Sequence, residues 1–141
     1  YFGISQHTTR AELQRAVFEG LAYAIVDSLQ GYPQGGELYL TGGGAASATW
    51  LQIIADCTGR TVVSSTFNEL SARGAAILAA RSVDALSRYP ALEQTRYRPN
   101  PQAHSRYVAL YPVYRLLREQ MLPVWHARRE ALQRISQEQR I

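Results

Sequence analysis

Leu38-Tyr-Leu-Thr-Gly-Gly-Gly-Ala-Ala-Ser47 is the stretch that decides the fold, because a short apolar run passes through three glycines into a serine. Leu38–Thr41 predicts a strand, and Ser47 predicts the N-cap of a helix over Ala48–Cys57. Glycines permit positive φ and let a ligand approach the main chain, and the next helix N-terminus favours an anion such as phosphate. A tight turn between a strand and a helix has the same local signature, so both interpretations stay open.

The segments on either side predict a chain that alternates helices and strands. Thr9-Arg-Ala-Glu12 has the form of a capping box and begins an amphipathic helix that extends to about Leu29. Thr61–Ser64 is rich in β-branched residues and predicts a second strand, and Gly59 before it is typical of a helix end. A third helix is predicted over about Glu69–Leu86. This order is typical of an α/β layer structure.

The C-terminal part of the sequence predicts a connection followed by a helix. The segment Pro90–Pro101 contains three prolines and is predicted to be mostly an irregular connection. A helix is predicted from about Gln102, because aromatic and aliphatic residues then recur three and four positions apart. Pro123 is expected to kink or break this helix, which leaves Trp125–Ile141 as a charged, partly exposed terminal helix.

Composition limits the chemistry that this chain performs. Its 141 residues, 46% of them hydrophobic, suffice for one globular domain. Every basic residue is Arg, and the absence of Lys excludes a P-loop lysine and a Schiff-base lysine. The single Cys57 excludes an internal disulfide and a Cys-based zinc site, and its place on an apolar helix stripe predicts a buried thiol. A reducing, cytoplasmic location is consistent with such a thiol.

The net charge of +4 makes nucleic acid a partner to consider. The arginines are spread from Arg10 to Arg140 and interleaved with Glu, without an aromatic-basic stripe, so we expect a solvated basic surface instead. No window approaches the roughly 20 apolar residues of a membrane helix, so no membrane partner is expected. Tyr1–Ile4 has the pattern of part of a strand, and we expect the sequence to be a fragment of a longer chain.

Residues 42–62 form a pattern much longer than the glycine loop. They run Gly-Gly-Gly-Ala-Ala-Ser-Ala-Thr-Trp-Leu-Gln-Ile-Ile-Ala-Asp-Cys-Thr-Gly-Arg-Thr-Val. This stretch resembles the nucleotide-binding segment of the FGGY carbohydrate kinase family, whose pattern is Gly-Gly-Gly-Ala-x-Ser-x-x-Trp-x-Gln-x-x-Ala-Asp-x-x-Gly-x-x-Val. Three further segments are similar to the family, so the resemblance covers nearly the whole chain: His7–Leu21, Gly74–Ala79 and Pro99–His104. Ser47 with Trp50 is closer to the xylulokinase and ribulokinase branch than to glycerol kinase.

The resemblance implies a fold as well as a family. That fold is α/β, of the actin-like ATPase (ribonuclease H-like) type, present as an incomplete C-terminal lobe with a long C-terminal helix. Residues 1–100 would form the partial, nucleotide-binding lobe. Residues 101–141 would form a helical extension that packs on the lobe.

The resemblance also implies a binding site for ATP. Gly42, Gly43 and Gly44 would lie against the adenosine and the α-phosphate, and Ser47 would reach the adenine. ATP with Mg2+ is the implied cofactor, and the metal ion would be held mainly by a lobe absent from this sequence and by the phosphates.

Other polar residues of the pattern are expected to be structural. Trp50 and Gln52 are expected to pack against the glycine loop and brace it. Asp56 is expected to accept hydrogen bonds rather than bind a metal. No histidine shares metal-ligand spacing with a carboxylate, so all three are expected at surface or capping positions: His7, His104 and His126.

The function implied by the resemblance is the ATP-binding part of a sugar or polyol kinase, with a pentulose such as xylulose or ribulose as the favoured substrate. The family's catalytic carboxylate and most sugar contacts lie in the absent lobe, so no catalytic residue is assigned to this chain. A non-catalytic nucleotide-binding or interaction module is the alternative. ATP, ADP and the sugar are the expected partners, and a homodimer is left open.

Overall fold

The computed structural model describes residues 1–33, 35–65, 69–83 and 92–138 of the chain. In these ranges the elements follow one another as α1 (Arg10–Ser28), β1 (Leu38–Leu40), a 3-10 turn (Gly43–Ala46), α2 (Ala48–Thr58), β2 (Val62–Ser65), α3 (Leu70–Ser82), β3 (Gln94–Tyr97) and α4 (Pro101–Glu138). This order confirms the α/β architecture with a long C-terminal helix.

Among the described residues, three strands form one sheet in the order β1-β2-β3. β1 runs parallel to β2, with Leu38 opposite Val62, and β3 runs antiparallel to β2, with Tyr97 opposite Val62. The prediction of an irregular connection was wrong for Gln94–Tyr97. Three of the four residues of β3 are exposed, so its strand structure comes from pairing with β2 and not from an apolar pattern of its own.

The core lies around α2. This helix buries one face almost completely, as its hydrophobic spacing predicts, and α1, α4 and β2 supply the remaining buried side chains. Fully burying one Leu or Ile side chain contributes about 1.5–3 kcal/mol. The buried members of the cluster are Ala22, Tyr23, Leu51, Ile53, Ile54, Ala55, Cys57, Val62 and Tyr107.

Helices α1 and α4 meet through tyrosines. The hydroxyl of Tyr23 donates to the carbonyl of Tyr107 over 3.1 Å, and their rings meet edge to face at 6.0 Å. The hydroxyl of Tyr107 donates to Glu19 over 2.7 Å and accepts from Arg15 over 2.8 Å. Burial, followed by the hydrogen bond to Glu19, raises the pKa of Tyr107 to about 12. These bonds satisfy the polar ends of rings whose faces are buried.

Three helix ends are fixed by the residues that the sequence indicates. Thr9 and Glu12 form the complete capping box of α1, and the Ser47 hydroxyl accepts the Trp50 amide at the start of α2 over 3.3 Å. Gly59 ends α2 in the left-handed conformation, with φ +67°. All three predictions are confirmed, because each cap depends on neighbouring residues only.

Two predictions about the chain ends were wrong: the separate helix from Trp125 and the strand at Tyr1–Ile4. Helix α4 continues from Pro101 to Glu138 through Pro112 and Pro123, so Pro123 does not break it and no separate helix begins at Trp125. Proline removes one backbone donor, and the exposed helix around Pro123 leaves the carbonyl that loses its partner open to water. Residues 1–9 form no strand. Across the described ranges, no helix combines the length and apolar character needed to cross a membrane.

Helix α3 begins at Leu70, close to the predicted start, whereas its predicted end near Leu86 lies outside the described residues. No side chain in its described range is buried, and a Cβ placed on Gly74 would meet nothing within 4 Å. The small residues of α3 are therefore exposed or half-buried in the described part of the chain.

We predict that Gly59→Ala destabilises the fold by about 2 kcal/mol or more, because it adds left-handed strain and a collision. A Cβ at position 59 would lie 2.6 Å from Cε1 of His104. Gly31→Ala is the matched control, because Gly31 also has positive φ, +88°, but its Cβ would meet no described residue within 4 Å. Urea denaturation measures both free energies of unfolding. Equal losses of unfolding free energy in the two variants would contradict a collision with the His104 ring. If the collision is real, His104→Ala should reduce the cost of Gly59→Ala.

We predict that the free energy of unfolding falls as the pH rises above about 10. Tyrosine in an unfolded chain titrates near pH 10, whereas burial first, and carboxylate hydrogen bonds next, raise the pKa values of Tyr107 and Tyr111 to about 12. The neutral phenols therefore stabilise the fold fully below pH about 10, and this contribution is lost as the pH approaches about 12. Urea denaturation of Tyr107→Phe should show a shallower decline than that of the unchanged chain. If the free energy of unfolding of Tyr107→Phe fell as steeply with pH as that of the unchanged chain, the contribution assigned to the Tyr107 phenol would be contradicted.

Candidate functional site

The glycine loop leaves the carboxyl end of β1 and leads directly into α2. Gly42 has φ +88° and ψ −176°, a conformation that is essentially restricted to glycine. The 3-10 turn Gly43–Ala46 follows, in which the Ala45 amide donates to the Gly42 carbonyl over 2.9 Å. The Ser47 amide then donates to the Gly44 carbonyl over 3.3 Å. The loop is therefore an ordered turn and not an extended connection.

Two side chains support the loop from inside the protein. The Trp50 ring lies beneath Gly44, where a Cβ would approach its Nε1 at 3.5 Å, and it packs on Phe18 with centroids 5.5 Å apart. The Ser64 hydroxyl donates to the Ala45 carbonyl over 3.3 Å. The expected bracing role of Trp50 is confirmed. The sequence predicted Ser64 only as part of a strand and gave it no role at the loop, although a serine beside two valines in a buried strand is a signal that could have indicated one.

The outer side of the loop is open. A Cβ placed on Gly43 would meet no described residue within 4 Å, and Gly43, Gly44 and Ser47 are exposed. The structure brings these residues together at the N-terminus of α2, where the helix dipole favours negative charge. No charged residue stands between Leu38 and Ala55. The site therefore offers backbone polar groups and lets a ligand approach the main chain closely. These features suit a neutral or singly charged group better than a triphosphate.

Gln52 does not brace the glycine loop, so that expectation was wrong. Its Nε2 donates to Asp56 Oδ1 over 2.8 Å and to the Arg98 carbonyl over 2.9 Å. Gln52 thus fixes the connection that precedes α4. Its partner Arg98 lies 46 positions away along the chain, so no local pattern indicates this hydrogen bond. Asp56 also accepts the Asn100 amide over 2.8 Å and is buried. This confirms Asp56 as a structural acceptor.

The histidines and the cysteine have structural positions, as predicted. His104 is half-buried, and its Nδ1 donates to the Asp56 carbonyl over 2.8 Å, which caps the end of α2. His7 and His126 are exposed. Cys57 is buried, and desolvation raises the pKa of its thiol to about 12, so it is not a nucleophile at neutral pH. Within the described ranges, no cluster of His, Cys, Asp and Glu has the geometry to hold a metal ion.

Comparison with known proteins identifies the family. The model of the C-terminal domain of the FGGY family of carbohydrate kinases matches residues 1–83. The chain belongs to the FGGY family of carbohydrate kinases. The match includes the glycine loop, α2, β2 and the described part of α3, so the candidate site lies inside the family domain.

Individual relatives are kinases of small carbohydrates. A probable L-xylulose kinase of Pasteurella multocida is 31% identical over 122 residues, which span 83% of this chain and 25% of the relative. A glycerol kinase of Koribacter versatilis is 37% identical over 110 residues, 70% of this chain and 22% of the relative. The FGGY chain thus spans about a quarter of the length of such relatives.

A solved structure shares the fold of this FGGY chain. The crystal structure of xylulose kinase from Rhodospirillum rubrum superposes with a TM-score of 0.72 and 29% identity, covering 88% of this chain and 27% of that chain. The three-dimensional likeness therefore extends well beyond the residues matched by the family model.

We predict that Gly42→Ala destabilises the chain by about 1–3 kcal/mol, because a Cβ is incompatible with the backbone angles of Gly42. Gly43→Ala is the matched control: Gly43 lacks positive φ, and its Cβ would enter open space. Thermal and urea denaturation of both variants provide the measurement. A loss of stability in Gly43→Ala as large as that in Gly42→Ala would contradict the loop geometry.

Proposed function

We propose that this chain forms the adenosine-binding part of an ATP-dependent carbohydrate kinase. Gly42, Gly43 and Gly44 lie against the adenosine and the α-phosphate, and Ser47 lies beside the adenine. The observation that carries the proposal is the open outer face of the loop at Gly43, directly before the N-terminus of α2. A ligand can approach this backbone closely, and the helix dipole favours the first phosphate.

Residues 38–55 carry no charge, which supports the proposal that nucleotide binding and phosphoryl transfer depend on different parts of the kinase. Phosphoryl transfer requires positive groups and metal ions around the β- and γ-phosphates and a carboxylate that orients the attacking hydroxyl. The glycine loop supplies no positively charged side chain and no carboxylate, so its part is to bind and orient the nucleotide. When Mg2+ is bound with ATP, it neutralises phosphate charge, and the described residues of this chain do not fit a site for it.

The proposal extends to the fold and the substrate. The whole kinase has the actin-like ATPase architecture of ribonuclease H type, with residues 1–100 as part of its C-terminal lobe and 101–141 as a helical extension of that lobe. It transfers the γ-phosphate of ATP to a sugar or polyol hydroxyl. A pentulose is the favoured substrate, supported by similarity to xylulose kinases, whereas the 37% identity to a glycerol kinase keeps glycerol in the test panel.

We predict that the chain binds ADP and that Gly43→Ala weakens this binding by about tenfold or more, equivalent to about 1.4 kcal/mol, without changing its stability. The added Cβ would occupy the space in which the nucleotide approaches the main chain. Isothermal titration calorimetry measures affinity, and thermal denaturation measures stability. Gly20→Ala on α1 is the control, because its Cβ also meets no atom of the described ranges within 4 Å. Unchanged ADP affinity in Gly43→Ala would contradict the proposed site.

A second experiment separates the kinase from a non-catalytic nucleotide-binding module. The complete kinase polypeptide is assayed for ATP-dependent phosphorylation of D-xylulose, L-xylulose, D-ribulose and glycerol. Phosphorylation of one of these supports the kinase and identifies its substrate. ADP binding by a complete polypeptide that phosphorylates none of them would favour the non-catalytic module.

A further inference from the structure

Ser64 occupies a position in β2 at which an apolar residue would be expected. Val62 and Val63 are 0% and 1% exposed, and Ser64 is 7% exposed. Because side chains alternate along a strand, Ser64 shares the face of Val62, which packs into the core around α2. Burying a hydroxyl costs free energy unless it finds a partner. The partner of Ser64 is the Ala45 carbonyl, 3.3 Å away.

The register of the sheet explains how Ser64 reaches the loop. Ser64 lies opposite Leu40, the last residue of β1. Since β1 and β2 are parallel, their carboxyl ends meet at the same edge of the sheet, where the loop leaves β1. The bond joins residues 19 positions apart and connects the middle strand to the loop.

The hydrogen bond from Ser64 holds Ala45, which lies inside the 3-10 turn Gly43–Ala46. The Ala45 amide is held by the Gly42 carbonyl over 2.9 Å, and the Ala45 carbonyl is held by Ser64. Trp50 supports Gly44 from the side of α2, whereas Ser64 supports the turn from the sheet. A glycine-rich segment has many accessible backbone conformations, so ordering it depends on such external contacts.

We propose that Ser64 is a positioning residue for nucleotide binding: its buried hydroxyl holds the turn Gly43–Ala46 in the conformation that receives the nucleotide. The proposal rests on the proposed function of the loop. Ser64 does not contact the ligand in this account. It raises the fraction of molecules whose loop is competent to bind, and apparent affinity is proportional to that fraction.

Ser64→Thr and Ser64→Val form the decisive pair, because the two side chains have nearly the same shape and only threonine keeps the hydroxyl. ADP should bind Ser64→Val about fivefold more weakly than Ser64→Thr in calorimetry, a difference within the range expected for one hydrogen bond. Amides of Gly43–Ala46 should exchange faster with solvent in Ser64→Val. In the complete kinase, KM for ATP should rise while KM for the sugar stays unchanged.

Two further variants control for general effects. Ser136→Ala removes another serine hydroxyl that donates to a backbone carbonyl, that of Leu132 on α4 over 2.9 Å, and should leave ADP affinity unchanged. Ser64→Ala removes the hydroxyl without adding volume, so a comparison with the unchanged chain remains possible if the larger side chains prevent folding.

The outcomes separate this inference from the proposed function. If the unchanged chain binds ADP, and Ser64→Val matches Ser64→Thr in affinity and amide exchange, the role of Ser64 is overturned and the proposed function stands. If the unchanged chain does not bind ADP, the proposed function fails, and the inference fails with it. The inference is supported if ADP binds more weakly, and the amides of Gly43–Ala46 exchange faster, only in the variants without the hydroxyl.

Discussion

Helix α2 packs its apolar side chains against α1, α4 and the sheet at once, and the positions of the other core elements depend on this burial. Its N-terminus is fixed by Ser47 and the glycine loop, and its C-terminus by Gly59 against His104. Because both ends of the helix are held, its position in the core determines where the loop lies. The same apolar contacts that stabilise the fold therefore also place the open backbone of Gly43 at the surface.

Features encoded by neighbouring residues could be predicted from the sequence. The capping box Thr9–Glu12, the N-cap Ser47 and the helix end at Gly59 depend on residues within one helical turn, and all are as predicted. The glycine loop and the family were also recognisable, because the pattern over residues 42–62 is long and ordered. The packing of Trp50 under the loop followed from the same pattern.

Features that depend on distant partners could not be predicted in this way. β3 is a strand because it pairs with β2, and Gln52 bonds the Arg98 carbonyl across 46 positions. The contact between Ser64 and Ala45 likewise requires the parallel register of β1 and β2. Pro123 lies within a continuous helix although its local cost, about 3 kcal/mol, favours a break. For β3, Gln52 and Ser64, long-range structure completes the local pattern, whereas the helix around Pro123 is exposed and the carbonyl that loses its partner is open to water.

Amide chemical shifts of the isotopically labelled chain during an ADP titration test most directly whether nucleotide contacts the glycine loop. We predict saturable shifts concentrated on Gly42–Ser47 and the first turn of α2, with little change along the exposed end of α4. Shifts confined to other elements, or no shifts at millimolar ADP, would contradict this contact.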